Sequence, residues 1–349
     1  MSRFGLSQAS AIGVDIDGPS IRVVQLARAG QGWRLSAAVV VPRSAPGGAV
    51  ARQDVEQVVG VLARQGFRGN RVVVALPEEK LVAGMLELPP RGSGAPLDEI
   101  ARTELAGMHG YDPQAAETVC WDLPVSARPK GPTQAMAVAC RHADAEELLT
   151  AFDGSGLEVV AIDTRLHAMV RACRPLLSAD NITAIVDLEW DRAVLLLVCQ
   201  SAVTYRRAMA EAATRELVKT LRDKLVLSDE SVACLLSEIG LTPEAEQDVA
   251  YREAVLPILK KHFDGLGTLL QSPFAYAAVQ HQGCHVADVL LTGSGALIPG
   301  IADCLKAKLG VGARPVWPGD IVRCSDALGA KSHDPSLVAA IGLAQFRDE

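Results

Sequence analysis

The run AIGVDIDGPSIRVVQL, residues 11–26, decides how the rest of the chain is read. Apolar and β-branched residues stand on both sides of a polar break at 15–20, and Gly18-Pro19 falls where a turn is needed. That is the pattern of a β-hairpin. A third strand over 35–41 follows and stops at Pro42. The hairpin pattern returns at residues 182–198, ITAIVDLEWDRAVLLLV, displaced by 172 positions. In that alignment Asp187 falls on Asp15, Leu188 on Ile16 and Glu189 on Asp17. A chain that opens twice with one strand–turn–strand element reads as two related halves.

Working outward, a helix beginning at Asp54 places Val55, Val58, Val59 and Leu62 on one face and stops near Gly66. Strands are expected over 71–76 and 82–88. Leu97, Ile100, Ala101, Leu105 and Met108 then mark a helix ended by Gly110. Strands at 118–125 and 135–140 flank a polar loop (126–133), followed by a helix over 143–152, a strand over 157–162 and a helix over 165–173. Residues 210–282 carry only helical spacing, including one long helical stretch from about 249 to 280. Strand character resumes at 286–291, ahead of Gly293-Ser294-Gly295, a helix over 300–309, a strand over 313–317 and a last helix over 335–346.

Composition narrows the classes. The 349 residues predict two or three folding units, 49% are apolar and 21% charged, which fits a packed globular protein. Lys and Arg number 34 against 41 Asp and Glu, so there is no basic excess for nucleic acid to read. The aromatic content of 4% argues against a stacking platform for single strands. No apolar run approaches the ~18–20 residues of a membrane helix, and residues 1–9 lack the apolar core of a secretory signal. The expectation is a soluble, cytoplasmic protein without direct membrane insertion. Eight cysteines, widely spaced and with no CxxC pair, suit buried thiols in a reducing compartment. His281, Cys284 and His285 do not follow a zinc spacing and read as a linker, so no metal site is expected. GxSxG, HExxH and GxxxxGK[ST] motifs do not occur.

Three segments can carry chemistry: the turn at 15–20, the turn at 187–193, and LTGSGALIPG at 291–300. In the last, small residues after a strand and before a helix bring backbone N–H groups to a helix start, where a phosphate can approach. The glycines also fit plain close packing of strand on helix. Asp17 and Asp191 equally suit solvated turn positions.

With these motifs the chain resembles the PilM family of type IV pilus and related secretion machines, whose relatives include FtsA and the cytoplasmic half of GspL. The resemblance rests on IGVDI (12–16) with SIRVVQL (20–26), VVALP (73–77), LEVVAID (157–163), LLTGSGALIPG (290–300) and LVAAIGL (337–343). It implies an α/β, actin-like (ribonuclease H-like) two-lobed ATPase fold. The first lobe would comprise 1–91 with 156–178, carrying an extra small α/β subdomain at 92–155. The second would comprise 179–209 and 283–349, carrying a helical subdomain at 210–282. The resemblance also implies ATP with Mg²⁺ between the lobes. The corresponding cleft residues here are Asp15, Gly18, Ser20, Asp187, Gly293, Ser294, Gly295 and Pro299.

The sequence departs from the family where the phosphates should sit. The family's Asp-x-Gly is Asp15-Ile16-Asp17 in the first hairpin, and Asp187-Leu188-Glu189 in the second, where the family threonine becomes Ala193. Like charges ~4 Å apart repel by about 4 kcal/mol at an effective dielectric near 20. Two such carboxylates would consume much of the roughly −8 kcal/mol of a micromolar complex, unless Mg²⁺ were held by Asp15, Asp17, Asp187 and Glu189. The expectation is therefore a scaffold with weak or lost ATP binding and no catalytic residues, serving a type IV pilus or type II secretion platform at the inner membrane. It would bind the cytoplasmic N-terminal segment of a PilN-like bitopic protein, near 82–88, 97–109 and 135–140, alongside other platform components. The sequence leaves a homodimer open. The rival readings are an active ATPase or kinase-like enzyme and an FtsA-like polymer former, the latter needing an amphipathic tail beyond the core.

Overall fold

The computed structural model describes residues 9–43, 45, 47–124, 132–242, 244, 247–281 and 283–347. The expectations for residues 1–8, for 126–131 within the polar loop, for Gln282 and for the last two residues lie outside that set.

Strands β1 (Ala9–Asp17) and β2 (Ser20–Ala29) form the first hairpin, turning at Gly18-Pro19 with Asp15 opposite Arg22. β3 (Gly32–Pro42) extends it. β4 (Arg71–Leu76) joins β1 in parallel, and β8 (Glu158–Thr164) joins β4, giving the order β3-β2-β1-β4-β8. The second sheet repeats this plan. β9 (Ile182–Leu188), β10 (Ala193–Cys199) and β11 (Ala202–Met209) run antiparallel, and β12 (Val286–Thr292) and β13 (Gly312–Pro315) add in parallel, in the order β11-β10-β9-β12-β13. Asp187 pairs with Val194, so the register reproduces the 172-residue displacement read from the sequence. Strand β11 has no counterpart in that reading, because Arg206 and Arg207 interrupt its apolar alternation.

The two-residue period of a strand sorts the side chains. Ile12, Val14 and Ile16 pack outward against helices α1 (Arg52–Leu62) and α3 (His142–Phe152). Ile182, Ala184, Val186 and Leu188 pack outward against the helices of the 214–309 region. Positions 13, 15, 17 and 183, 185, 187 therefore face each other between the sheets. Two helices fill that space, α4 (Arg165–Cys173) and α11 (Val338–Ala344), against Val24, Leu26, Ile185, Val194 and Leu196. The expected last helix is a 3₁₀ turn (Pro335–Leu337) followed by α11. The long helical stretch is two helices, α7 (Val249–Ala254) and α8 (Leu256–Gln280). Pro257, in the first turn of α8, cannot supply an N–H to a continuous helix.

A third, three-stranded sheet lies between β4 and β8 in the chain. β5 (Leu81–Leu88) and β6 (Ala116–Asp122) flank a central β7 (Thr133–Arg141), and α2 (Leu97–His109) covers one face through Leu105, Leu86, Leu88 and Ala137. Gly110 ends α2 in the left-handed region at φ 68°, as its place in the sequence requires. Among the described residues no helix is long and apolar enough to cross a membrane.

The crossing of α4 on α11 is tight. A Cβ on Gly342 would run into the Ala168 backbone, and one on Gly13 would meet the Ala340 carbonyl. Gly342→Val is expected to lower stability in urea by at least ~1–3 kcal/mol through overpacking; a change under about 0.5 kcal/mol would show that the helices can separate freely.

Candidate functional site, an ion cluster between two hairpins

Because β1 and β9 share a register and a facing side, Asp15, Asp17, Asp187 and Glu189 converge between the sheets. Two arginines meet them there. Arg165, the first residue of α4, is 8% exposed and Arg22, in β2, is 1% exposed. The Arg165 guanidinium reaches all four acids: Nη2 to Glu189 Oε1 at 2.7 Å, Nη1 to Asp17 Oδ2 at 3.1 Å, Nη2 to Asp187 Oδ2 at 3.2 Å, and Nε to Asp15 Oδ2 at 3.4 Å. Arg22 donates from Nη2 to Glu189 Oε2 at 2.8 Å and from Nη1 to Asp15 Oδ2 at 3.4 Å. Glu189 therefore uses one oxygen for each arginine. Thr292 Oγ1 donates to Asp187 Oδ1 at 2.8 Å.

Four carboxylates against two guanidiniums leave the cluster short of positive charge. Burial pushes Asp187 up to about 7, against the pull of Arg165, and pushes Asp17 up to about 6. Burial opposes ionisation of Glu189 as well, but Arg22 and Arg165 override it and hold that carboxyl below its usual range. Burial acts against the charge on Arg165 too, and the surrounding acids, Asp15 foremost, outweigh it. Arg165 also stands at a helix N-terminus, where the backbone dipole disfavours a cation; the four acids reverse that preference. Its Nε and that of Arg22, with Asp15 Oδ1, are buried without a hydrogen-bond partner.

The two turns themselves touch. A Cβ on Gly18 would come within 2.7 Å of Trp190 Cβ. Beside the cluster, Asp17, Glu78, Arg165, Asp187, Glu189 and Arg192 line a cavity of about 20 Å³. That is room for a single water, which needs roughly 10–15 Å³. A triphosphate with Mg²⁺, which the fold implies for this position, does not fit these residues as arranged. The guanidinium of Arg165 lies among the four acids, and the acids that could hold a metal already hold arginine.

The remaining sequence candidates separate. Gly293, at φ 81°, abuts Leu188 O and Asp187, and Gly295 abuts Leu188, so both glycines bring the 293–297 turn onto the end of β9. Ser294 begins the 3₁₀ turn between them. Ser20 opens β2 opposite Asp17. Pro299 lies apart from the carboxylates, its carbonyl accepting from Leu241 N at 2.7 Å. Asp191, read as a solvated turn residue, binds Arg215 at 2.7 Å. Sequence reasoning set Asp17 and Glu189 against the phosphates, with a solvated turn as the equal alternative for Asp17, and missed both arginines. The signal was present: Arg22 interrupts the apolar run Ile21–Val24, and a charge on the buried face of a strand demands a partner.

Two five-stranded sheets of this repeated topology, with the paired hairpins facing a common cleft, define the actin-like fold. Solved structures agree. The PilM-PilN type IV pilus biogenesis complex matches with a TM-score of 0.76 at 20% identity, covering 96% of this chain and 98% of that one. The ethanolamine utilization protein EutJ from Carboxydothermus hydrogenoformans matches at 0.56, 14% identity, covering 97% and 90%. MreB5 of Spiroplasma citri bound to ADP matches at 0.52, 12% identity, covering 97% and 96%. The family model for type IV pilus assembly protein PilM matches residues 13–347, and the chain belongs to that family.

The raised Asp187 pKa sets a pH dependence. In the folded state Asp187 holds a proton up to about 7, while its unfolded value is 3.8. The folded state thus binds more protons across that window, and stability falls as pH rises through it. Asp187→Asn keeps an acceptor for Thr292 and cannot ionise. Its melting temperature is expected to fall less than that of the unchanged protein between pH 5 and pH 7.5, as scanning calorimetry would read; parallel pH profiles would contradict the assignment.

Proposed function

We propose that the protein is a non-catalytic scaffold of a type IV pilus or type II secretion assembly platform, on the cytoplasmic side of the inner membrane. It recognises the cytoplasmic N-terminal segment of a PilN-like bitopic protein, and its nucleotide binding is weak or lost. The observation that carries this reading is the cleft filled by the chain's own Arg165, which leaves surface recognition as what the fold offers. Family membership and the likeness to a PilM-PilN complex support the partner class. The four units are those expected from the sequence, 1–91 with 156–178, 92–155, 179–209 with 283–349, and 210–282, with one boundary corrected: β5 (Leu81–Leu88) pairs with β7 and so belongs with 92–155.

The third sheet supplies a suitable surface. β5 is an edge strand, paired only with β7 among the described residues. Met85 is 50% exposed on one side of that edge and Met108, from α2, is 60% exposed on the other, lying over Gly84. A free strand edge offers backbone hydrogen bonds to an extended peptide, and flexible methionines adapt to its side chains. Glu78 and Glu79, just before β5, bind Arg206 and Arg192 of the second-sheet region, which fixes the orientation of that edge.

Titration calorimetry with a synthetic peptide of the partner's cytoplasmic segment tests the reading. Met85→Glu with Met108→Glu is expected to weaken binding at least ~tenfold, about 1.4 kcal/mol. Equal affinity would move the groove elsewhere. A ligand at a hundred times its Kd adds about 2.7 kcal/mol of stability. ATP with Mg²⁺ is expected to add none, and a clear rise in melting temperature would favour the enzyme reading.

A further inference from the structure

We infer that Arg165 takes over the cross-linking role that a bound ligand would have between the two hairpins, so that the cleft is latched shut by the chain itself. This rests on the reading of the cleft as closed to nucleotide and is independent of the peptide groove. Arg165 reaches Asp15 and Asp17 of the first hairpin and Asp187 and Glu189 of the second with one guanidinium. Glu189 carries the second link, to Arg22 of β2. These are charge-assisted contacts in a space with room for little more than one water.

A ring of contacts outside the cluster closes the same joint. Arg192 of the β9–β10 turn binds Glu79 at 2.8 Å, and Arg206 of β11 binds Glu78. Trp121 Nε1 of β6 donates to Val203 O of β11 at 3.2 Å. Trp190 covers Gly18. Removing one partner of a buried pair leaves the others uncompensated, so loss of Arg165 leaves Asp17 and Asp187 without a guanidinium and Asp15 and Glu189 with Arg22 alone.

Hydrogen exchange on the full-length protein tests the latch, read at the β1–β2 and β9–β10 turns and, as a folding control, in α8. The unchanged protein is expected to show protected turns that ATP with Mg²⁺ does not alter. Arg165→Ala is expected to speed turn exchange at least ~tenfold while α8 stays protected, and millimolar guanidinium chloride is expected to restore the turns by reoccupying the site. Arg165→Ala turns as protected as before, or a folded Arg165→Ala that guanidinium does not rescue, would overturn the inference. Should Arg165→Ala fail to fold, Glu189→Gln decides. It keeps the side-chain shape and removes the charge both arginines use, so faster turn exchange supports the latch and unchanged exchange overturns it. Added protection by ATP in the unchanged protein would overturn the closed-cleft reading as well, whereas loss of the latch alone leaves peptide binding as a separate result.

Discussion

One guanidinium, that of Arg165, touches four carboxylates drawn from two hairpins, and the arrangement of the interior follows from satisfying it. Burying five ionisable groups, with Asp17 partly buried beside them, is costly unless each has a partner. The cluster meets that requirement only when the two sheets are brought together with α4 between them. The neighbouring apolar layer of Leu166, Met169, Val194 and Leu196 contributes non-directional attraction. The ions contribute direction, because a planar fork accepts few relative placements of its acids. Hydrophobic burial thus holds the sheets near each other, and the arginines set how they meet.

The duplicated topology explains why the acids coincide. Each half opens with the same hairpin, and in each the odd-numbered positions at the strand end face inward. One difference between the halves bears on the charge: Arg22 in the first corresponds to Val194 in the second. The asymmetry matters. A further arginine opposite Asp187 would narrow the charge deficit, whereas Val194 leaves Asp187 with part of one guanidinium and a threonine hydroxyl. The excess acid is carried as a proton held near neutrality.

Much of this was legible in the sequence. The hairpin at 11–26 and its repeat, the strand at Arg71–Leu76 and the helix at Arg165–Cys173 follow from local pattern, and the structure places them where that pattern does. Period and repeat put the four acids at equivalent strand ends, and the family resemblance implied that they share one cleft. Their electrostatic meaning could not be read that way. Arg165 is 150 residues from Asp15 along the chain, and nothing local to a helix start says which distant acids it will meet. β11 was hidden for a related reason: Arg206 and Arg207 look solvated in sequence, while Arg206 is spent on Glu78 of the third-sheet region. An acidic cleft that repels phosphate and a cleft whose acids are taken up by the chain's own arginines both point to the weak nucleotide binding proposed above, by different physics.

The most direct measurement is a crystal structure grown with ATP and Mg²⁺ at saturating concentration. The Arg165 fork is expected to remain on Glu189 and Asp187, with Trp190 against Gly18 and no phosphate density between the turns. An ordered triphosphate in that position, with Arg165 swung away from the acids, would contradict it.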